Sequence, residues 1–306
     1  MNCDDLLLAI EKLSKEKREI LQSKEYKIGY ALLRYKNNIL HFKVKNLFKD
    51  LSDKCASKKI YKKYYCKLED STPFYDDQII DDMRIVAYTC ILGDYDVLQI
   101  PLVQFDNLDY VLLTDKPDKY QKYNHIFKVV KLPEEIIKMG SIYANRYVKL
   151  HPSHFFEGYD YSIYLDGNVR AIADIRQFVK LCSLRSGIAM HRHRERICIY
   201  KEAEVCLMLK RGDGNCLKAE MEHYKREGFP ENFGMNEATI IATDLNNDIS
   251  KKLLDEWWKE FVRAKSLRDQ LAWPYVLWKN GFGIEDIGNL GSDIYKNSKV
   301  EMVRHK

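Results

Sequence analysis

Asp166 and Asn168 flank Gly167 at the end of Tyr161-Ser-Ile-Tyr-Leu165, a run of β-branched and aromatic residues that reads as a buried strand. Ligands gather at the carboxyl edge of open α/β sheets, so an acid and an amide two residues apart there can offer oxygens to a divalent cation and the phosphates it bridges. A competing reading carries no chemistry: Asp-Gly between apolar runs is also a strong hairpin-turn signal. Arg146 and Lys149, three apart, share a helix face. They can meet a phosphate or an acid, or stand in water as a cationic face. His191 and His193 fall on one side of an extended stretch, with Arg192 and Arg194 on the other. Two such imidazoles suit a metal, a phosphate or a generic anion patch, and no third ligand is fixed nearby. Ser266 and Asp269 have capping-box spacing, which accounts for both without catalysis.

The elements that must position these residues follow from hydrophobic pattern. Short, wholly apolar strands are expected at 83–90, 110–114 and 127–130, the second ending on Asp115. Helical stretches follow at 134–138 and within 141–152, where Ala144, Tyr147 and Val148 can face the sheet. Alternation of apolar strands with helices predicts an α/β fold with a mainly parallel sheet covered on both faces. After Asp166 come a helix at 175–181 and a helical stretch at 201–225 interrupted by Gly212-Asp-Gly214. A glycine-bearing turn leads into a strand with Asn236 and Glu237 at its mouth. A helix capped by Ser250 carries Leu253, Leu254, Trp257, Trp258 and Phe261 on its core face, and 300–306 reads as a last extended segment with His305.

The 306 residues, 46% hydrophobic, suffice for a packed core. The aliphatic run Leu6 to Ile10 is too short for a signal peptide or a membrane span, so a soluble chain is expected. Eight cysteines without a C-x-x-C pair point to reduced thiols in a cytoplasm rather than a disulfide framework or a zinc site. Residues 4 to 22 read as an amphipathic helix. Between 24 and 67 stand 13 lysines or arginines against three acids, interleaved with aromatics, and the rest of the chain is mildly acidic. This segment can lie on an anionic membrane at the inner face, or pack on the body with its lysines in water. Nucleic acid is the lesser reading because no reader motif is present. A basic helical appendage and linker over 1–80 and a main domain over 81–306 are thus expected.

Four segments in order, YANRYVKLHPSHFF leading into YSIYLDGNVR, then RICIYKEAE, NFGMNEATIIATDLNN and RDQLAWPYVLWK, resemble the GT-A class of nucleotide-sugar glycosyltransferases. More narrowly they resemble the glycosyltransferase-like domain of plant mucilage and pollen enzymes, over roughly Arg84 to Trp278, with a fainter likeness to glycogenin-type and lipopolysaccharide galactosyltransferases. The resemblance implies a GT-A-like, Rossmann-like fold and transfer of a sugar, from a UDP-sugar by expectation, to a glycan or lipid-linked glycan hydroxyl in cell-surface polysaccharide synthesis. It implies that Asp166 and Asn168 take the D-x-D positions for Mn2+ or Mg2+, with Gly167 between them and with His305, or failing it His191, completing the shell. Thr89, Gly93 and Tyr95 align with base and ribose contacts, and Asp115 joins the donor-binding set. Arg146 and Lys149 would steady phosphates or a strand-end acid. Asn236 and Glu237 match the acceptor side, and Asp269 and Gln270 the orientation of acceptor or sugar. The glycogenin-like order implies retention of configuration. Asn168 departs from the pattern's second acid and puts metal dependence in question. The alternative is a catalytically silent GT-A-like module that binds nucleotide or glycan as a membrane-associated assembly partner.

Overall fold

The computed structural model describes residues 82–304, together with positions 12, 13, 16, 20, 23, 25 and 28. The chain divides into two compact units, residues 1–67 and 68–306. In the first, the described positions are helical except Ser23. The readings of 24–67 as a membrane-facing segment and of 68–82 as a linker fall almost wholly outside the described residues. Among those described, no helix is long and apolar enough to cross a membrane.

The second unit is built on a seven-stranded sheet. Strands β1 (Ile85–Ile91), β2 (Leu108–Thr114), β3 (Phe127–Lys131) and β4 (Tyr161–Leu165) lie close to the expected ranges. They are joined by β7 (Asn236–Asp244), β6 (Ile188–Arg192) and the two-residue β8 (Gly288–Asn289), in the order β3-β2-β1-β4-β7-β6-β8. The four strands β1 to β4 pair in parallel, whereas β7 runs antiparallel to both β4 and β6. This is the mixed, mainly parallel α/β arrangement expected. Period-2 alternation sets the two faces of β1. Val86, Tyr88 and Cys90 enter one core with Val111 and Leu113, while Ile85, Ala87 and Ile91 enter the other with Tyr110 and Leu112.

The first face is covered by helices α2 (Ser141–Leu150), α5 (Asp248–Ala264) and α6 (Asp269–Lys279), through Ala144, Val148, Leu253, Trp257, Trp273 and Val276; the short α1 (Glu134–Ile137) precedes α2. The Trp257 and Trp273 rings stack at 4.5 Å between centroids. Tyr147, packed against this core as expected, also stacks on His151 and meets Trp258 edge-on, so α2 joins α5 through an aromatic seam. The opposite face is covered by the expected helix at Ile175–Leu181, of 3-10 type, and by a small sheet of β5 (Val169–Ala171) and β9 (Val300–Met302). That pairing decides the Asp-Gly question. β4 and β5 belong to different sheets, so Asp166-Gly167-Asn168 is a strand-to-strand corner and not a hairpin tip. Helices α3 (Ile199–Met208) and α4 (Gly214–Arg226) break at Gly212-Asp-Gly as expected, with Asp213 capping α4. The cap of α5 is Asn247, not Ser250: its side chain accepts from the N–H of Ile249 and Ser250, and the Ser250 hydroxyl turns back to Asp244 and Asn247 carbonyls.

Under α4 a buried acid gives the fold a pH dependence. The Tyr224 hydroxyl lies 2.8 Å from both Glu220 and Glu260 carboxyl oxygens. One phenolic proton cannot serve both, and Glu260 is also paired with Arg263. Burial first, and Glu260 nearby, push the Glu220 carboxyl up to about 7, so below that pH it is protonated and can donate to Tyr224. A folded-state value raised above the unfolded one means stability is fully present in acid and lost as pH rises through 7, with a slope of at most about 1.4 kcal/mol per pH unit. Denaturation midpoints of the protein are expected to fall between pH 5 and 8, and Glu220→Gln to flatten that slope; an unchanged slope would acquit Glu220.

Candidate active site

β1 lies between β2 and β4, so the chain leaves it towards opposite sides of the sheet and a crevice opens at the carboxyl ends of β1 and β4. The loop after β1 is held on one side by Gly93, left-handed at φ 59, whose N–H lies 3.3 Å from both Asp115 carboxylate oxygens. On the other side buried Asp96 packs against Gly167, where a Cβ would stand 3.0 Å from Asp96 Oδ2. A side chain at 167 would require Asp96 to give way by a few tenths of an ångström. Two cavities open here. One, of about 630 Å3, is lined by Leu92, Tyr95, Asp96, Ile142 and Asn145; the other, of about 670 Å3, by Asn168, His193, Glu237, Thr239, Asp269, Gln270 and the tail residues Val303 and Arg304. Arg146, Asp166, Arg211 and Arg268 line both, so the cavities meet at the β4 corner.

Asp166 accepts from the Tyr164 hydroxyl at 2.8 Å, which fixes one carboxylate oxygen. The Asn168 amide donates to the Val303 carbonyl at 3.1 Å, and Val303 N–H returns to the Asn168 carbonyl, so Asn168 ties the tail to the corner. With its nitrogen so engaged, the Asn168 side chain has its oxygen to offer. Both donors are hard oxygens, which suits Mg2+ or Mn2+. No cluster of three His, Cys, Asp or Glu able to hold a metal occurs among the described residues, so the remaining positions fall to phosphate, water or His305, which lies outside the described residues. The donor set fits a cation shared with a ligand.

Arg146 and Lys149 are not a solvated face. Lys149 Nζ is 2.7 Å from Asp269 Oδ2 and Arg146 Nε 3.1 Å from Oδ1, across 120 residues in the first case. Lys149 and Asp269 are almost fully buried. Burial would raise the Asp269 carboxyl, but Arg146 and Lys149 override it and hold the group well below the usual range. Asp269 is therefore a fixed anion that aims Arg146, not a proton acceptor. The capping-box reading of Ser266 and Asp269 does not hold. The cap residue of α6 is Arg268, without a side-chain cap, because the two cations take the carboxylate. The Ser266 hydroxyl accepts from Arg268 N–H instead.

Glu237 stands where β7 runs past the end of β4. Gln270 Nε2 donates to it at 3.2 Å and to the Asn236 carbonyl at 3.0 Å, while Trp273 holds the Asn236 side-chain oxygen at 3.1 Å. His193 Nε2 is 3.6 Å from Glu237 and 3.8 Å from Glu202. The N–H groups of Glu195 and Arg196 both donate to His193 Nδ1, which leaves the ring proton on Nε2, facing the acids. Burial pushes His193 down to about 4, so the imidazole is neutral. Burial also raises the Glu237 carboxyl. On this wall Glu195 and Glu202 pair with arginines and Asp269 with two cations, whereas Glu237 has only neutral donors.

The cavities thus bring together Tyr95, Arg146, Lys149, Asp166, Gly167, Asn168, Glu237, Asp269 and Gln270. Thr89 is buried and lines neither cavity, Asp115 acts through Gly93, and Asn236 supports from behind. His191 does not share a side with His193. The strand ends at Arg192, so its period does not extend to His193. His191 is buried against Phe178 with Nε2 on Asn297, held neutral by burial near 3, and lines neither cavity; its burial sets it apart from Asp166 and Asn168, which line the cavities. Arg211 and Arg268, on both cavities, went unmarked in the sequence, although Arg268 adjoins Asp269-Gln270 and Arg211 adjoins the Gly212 break.

The family model described as TOD1/MUCI70, glycosyltransferase-like domain, matches residues 70–305. Comparison with curated proteins gives no match. Among solved structures, the WbbM bifunctional glycosyltransferase is similar at 12% identity and TM-score 0.40, over 65% of this chain but only 38% of that one. Mouse xyloside xylosyltransferase 1 is similar at 11% identity and TM-score 0.37, over 64% and 82% of the two chains. The galactosyltransferase LgtC, solved with donor and acceptor sugar analogs, is similar at 12% identity and TM-score 0.37, over 61% and 68%. The chain spans under half the length of the first of these.

Proposed function

Because this chain belongs to the TOD1/MUCI70 family of glycosyltransferase-like domains, we propose that it transfers a sugar from a nucleotide-sugar, a UDP-sugar by preference, to a glycan hydroxyl. The observation that carries this is the meeting of two cavities at Asp166, one walled by Leu92, Tyr95 and Ile142, the other by Glu237 and Gln270. The first suits a nucleoside, whose flat base gains from an aromatic and aliphatic wall, and the second a polar acceptor. Asp166 and Asn168, with His305 in the role the resemblance gives it, would hold Mn2+ or Mg2+. Such an ion supplies charge neutralisation to the departing diphosphate. Asp269 fixes Arg146 beside that point. Gln270 and His193 orient Glu237 towards the sugar or the acceptor.

Retention of configuration is the outcome implied by the order of the segments. One observation favours inversion: Glu237 is a half-buried carboxylate of raised pKa on the cavity wall with no cation bonded to it, which suits a general base for the acceptor hydroxyl. Thermal-shift screening against UDP-, GDP- and CMP-sugars, with and without Mn2+, tests the donor reading. UDP-sugars are expected to stabilise the protein, and Asp166→Ala to remove the Mn2+-dependent part. No response to any nucleotide would reject the reading. Binding without hydrolysis or transfer would identify a silent nucleotide-binding module instead.

A further inference from the structure

The cations on the cavity walls divide into two groups. Lys149 and Arg146 are committed to Asp269, and Arg196 to Glu195 and Glu202. Arg211 and Arg268 form no salt bridge among the described residues, and the Arg268 Nε is buried without a hydrogen-bond partner. A buried guanidinium nitrogen left unmatched is costly unless an anion joins it. Both arginines line both cavities at the Asp166 corner.

They come from two connections locked to each other. Arg211 lies between α3 and α4, and Arg268 between α5 and α6. Asp213 N–H donates to the Ser266 carbonyl at 3.0 Å, and a Cβ on Gly212 would stand 2.4 Å from that oxygen and 2.9 Å from Arg268 Cγ. Only glycine permits that approach. Lys210, Lys265 and Leu267 adopt left-handed φ of 53, 56 and 64. Such conformations cost energy, and persist where surrounding structure over-determines them. The contact holds together the two connections that carry Arg211 and Arg268 onto cavities that Asp166 also lines, where Asp166 supplies a single negative charge for a cation.

We propose that Arg211 and Arg268 form a two-arginine clamp for the donor's diphosphate, neutralising it beside Asp166 and retaining it in metal-free protein. The clamp rests on the nucleotide-sugar reading. Guanidinium groups bind phosphate through paired N–H donors, so each arm contributes directional hydrogen bonds as well as charge.

Calorimetric titration of the full chain with pyrophosphate, UDP and uridine, in EDTA and then with Mn2+, tests this. In EDTA the wild-type protein is expected to bind pyrophosphate and UDP, and Arg211→Ala or Arg268→Ala to weaken both by roughly tenfold, the effect of losing a charge-assisted phosphate contact. Uridine affinity is expected to stay unchanged, and Arg268→Lys to restore part of the loss. A general loss of structure would instead lower uridine binding too. Variants within twofold of wild type for both phosphate probes, or UDP bound only with Mn2+, overturn the clamp and leave the donor reading standing. Pyrophosphate bound and weakened by the variants, with no nucleotide bound, leaves the clamp and removes the donor reading. No binding of any probe rejects both.

Discussion

Replacing Glu237 with glutamine is expected to lower kcat by roughly 10²-fold or more with KM little changed, the scale of losing a positioned acid or base. Gln270 Nε2 donates to this carboxylate at 3.2 Å, and the Nε2–H of neutral His193 faces it at 3.6 Å, beyond hydrogen-bond reach. A glutamine keeps an oxygen to accept from Gln270, at a stability cost of about 1 kcal/mol or less. Fold and donor affinity should therefore survive while chemistry is lost. A carboxylate beside the anomeric carbon acts on either stereochemical path, as base for the incoming hydroxyl or as counter-charge to an oxocarbenium-like sugar. The pH profile separates the roles. Burial raises the Glu237 carboxyl, and a base works only when ionised, so an inverting enzyme gains rate as pH rises through that raised value and the variant loses this limb. NMR of the product's anomeric proton reports the outcome independently. Activity within threefold of wild type would remove Glu237 from the chemistry.

The largest stability effect is expected at Asp269. Asp269→Asn leaves buried Lys149 and neighbouring Arg146 facing each other without their shared anion. Removing one partner of a buried ion pair costs about 3–5 kcal/mol, far above surface pairs such as Lys251 with Asp248, worth roughly 0–1 kcal/mol. The backbone carbonyl of Asp269 accepts from Trp257 Nε1 at 2.7 Å and is untouched by the change, so the loss isolates the carboxylate. The sign with pH follows. The folded-state carboxyl is depressed, so its contribution is present above the unfolded value of about 3.9 and fades as pH falls through the lower folded one. Urea denaturation at pH 7 and at pH 3 measures both, and a loss below 1 kcal/mol at pH 7 would show that the triad stores little energy. Donor binding should weaken as well, because Arg146 loses the anion that aims it at the corner.

Much of the site's surroundings is legible locally. Tyr161 to Leu165 is apolar, β-branched and closed by Asp-Gly, so a strand ending at Asp166 follows from pattern alone. The Gly212 break and the core face of Leu253, Leu254, Trp257 and Phe261 follow likewise from turn chemistry and helical spacing. Three local inferences fail for nameable reasons. Asp-Gly at 166–167 does not make a hairpin because Val169–Ala171 finds β9 as its partner. Ser266 and Asp269 do not form a capping box because two distant cations outcompete the helix end for the carboxylate. His191 and His193 do not share a side because the strand ends at Arg192, before His193.

The sequence by itself determined the periods, the strand-end acid and the glycines that permit tight approach, since each depends on residues within one turn or one strand. Only the tertiary structure decided which charges meet. Spacing places Arg146 and Lys149 on one helix face, but whether that face sees water, phosphate or an acid depends on α6 arriving 120 residues later. The same holds for Arg211 and Arg268, ordinary surface arginines in the chain, which two interlocked connections bring to the Asp166 corner. Backbone pattern chooses faces; long-range packing, which brings charges into low-dielectric contact, chooses partners.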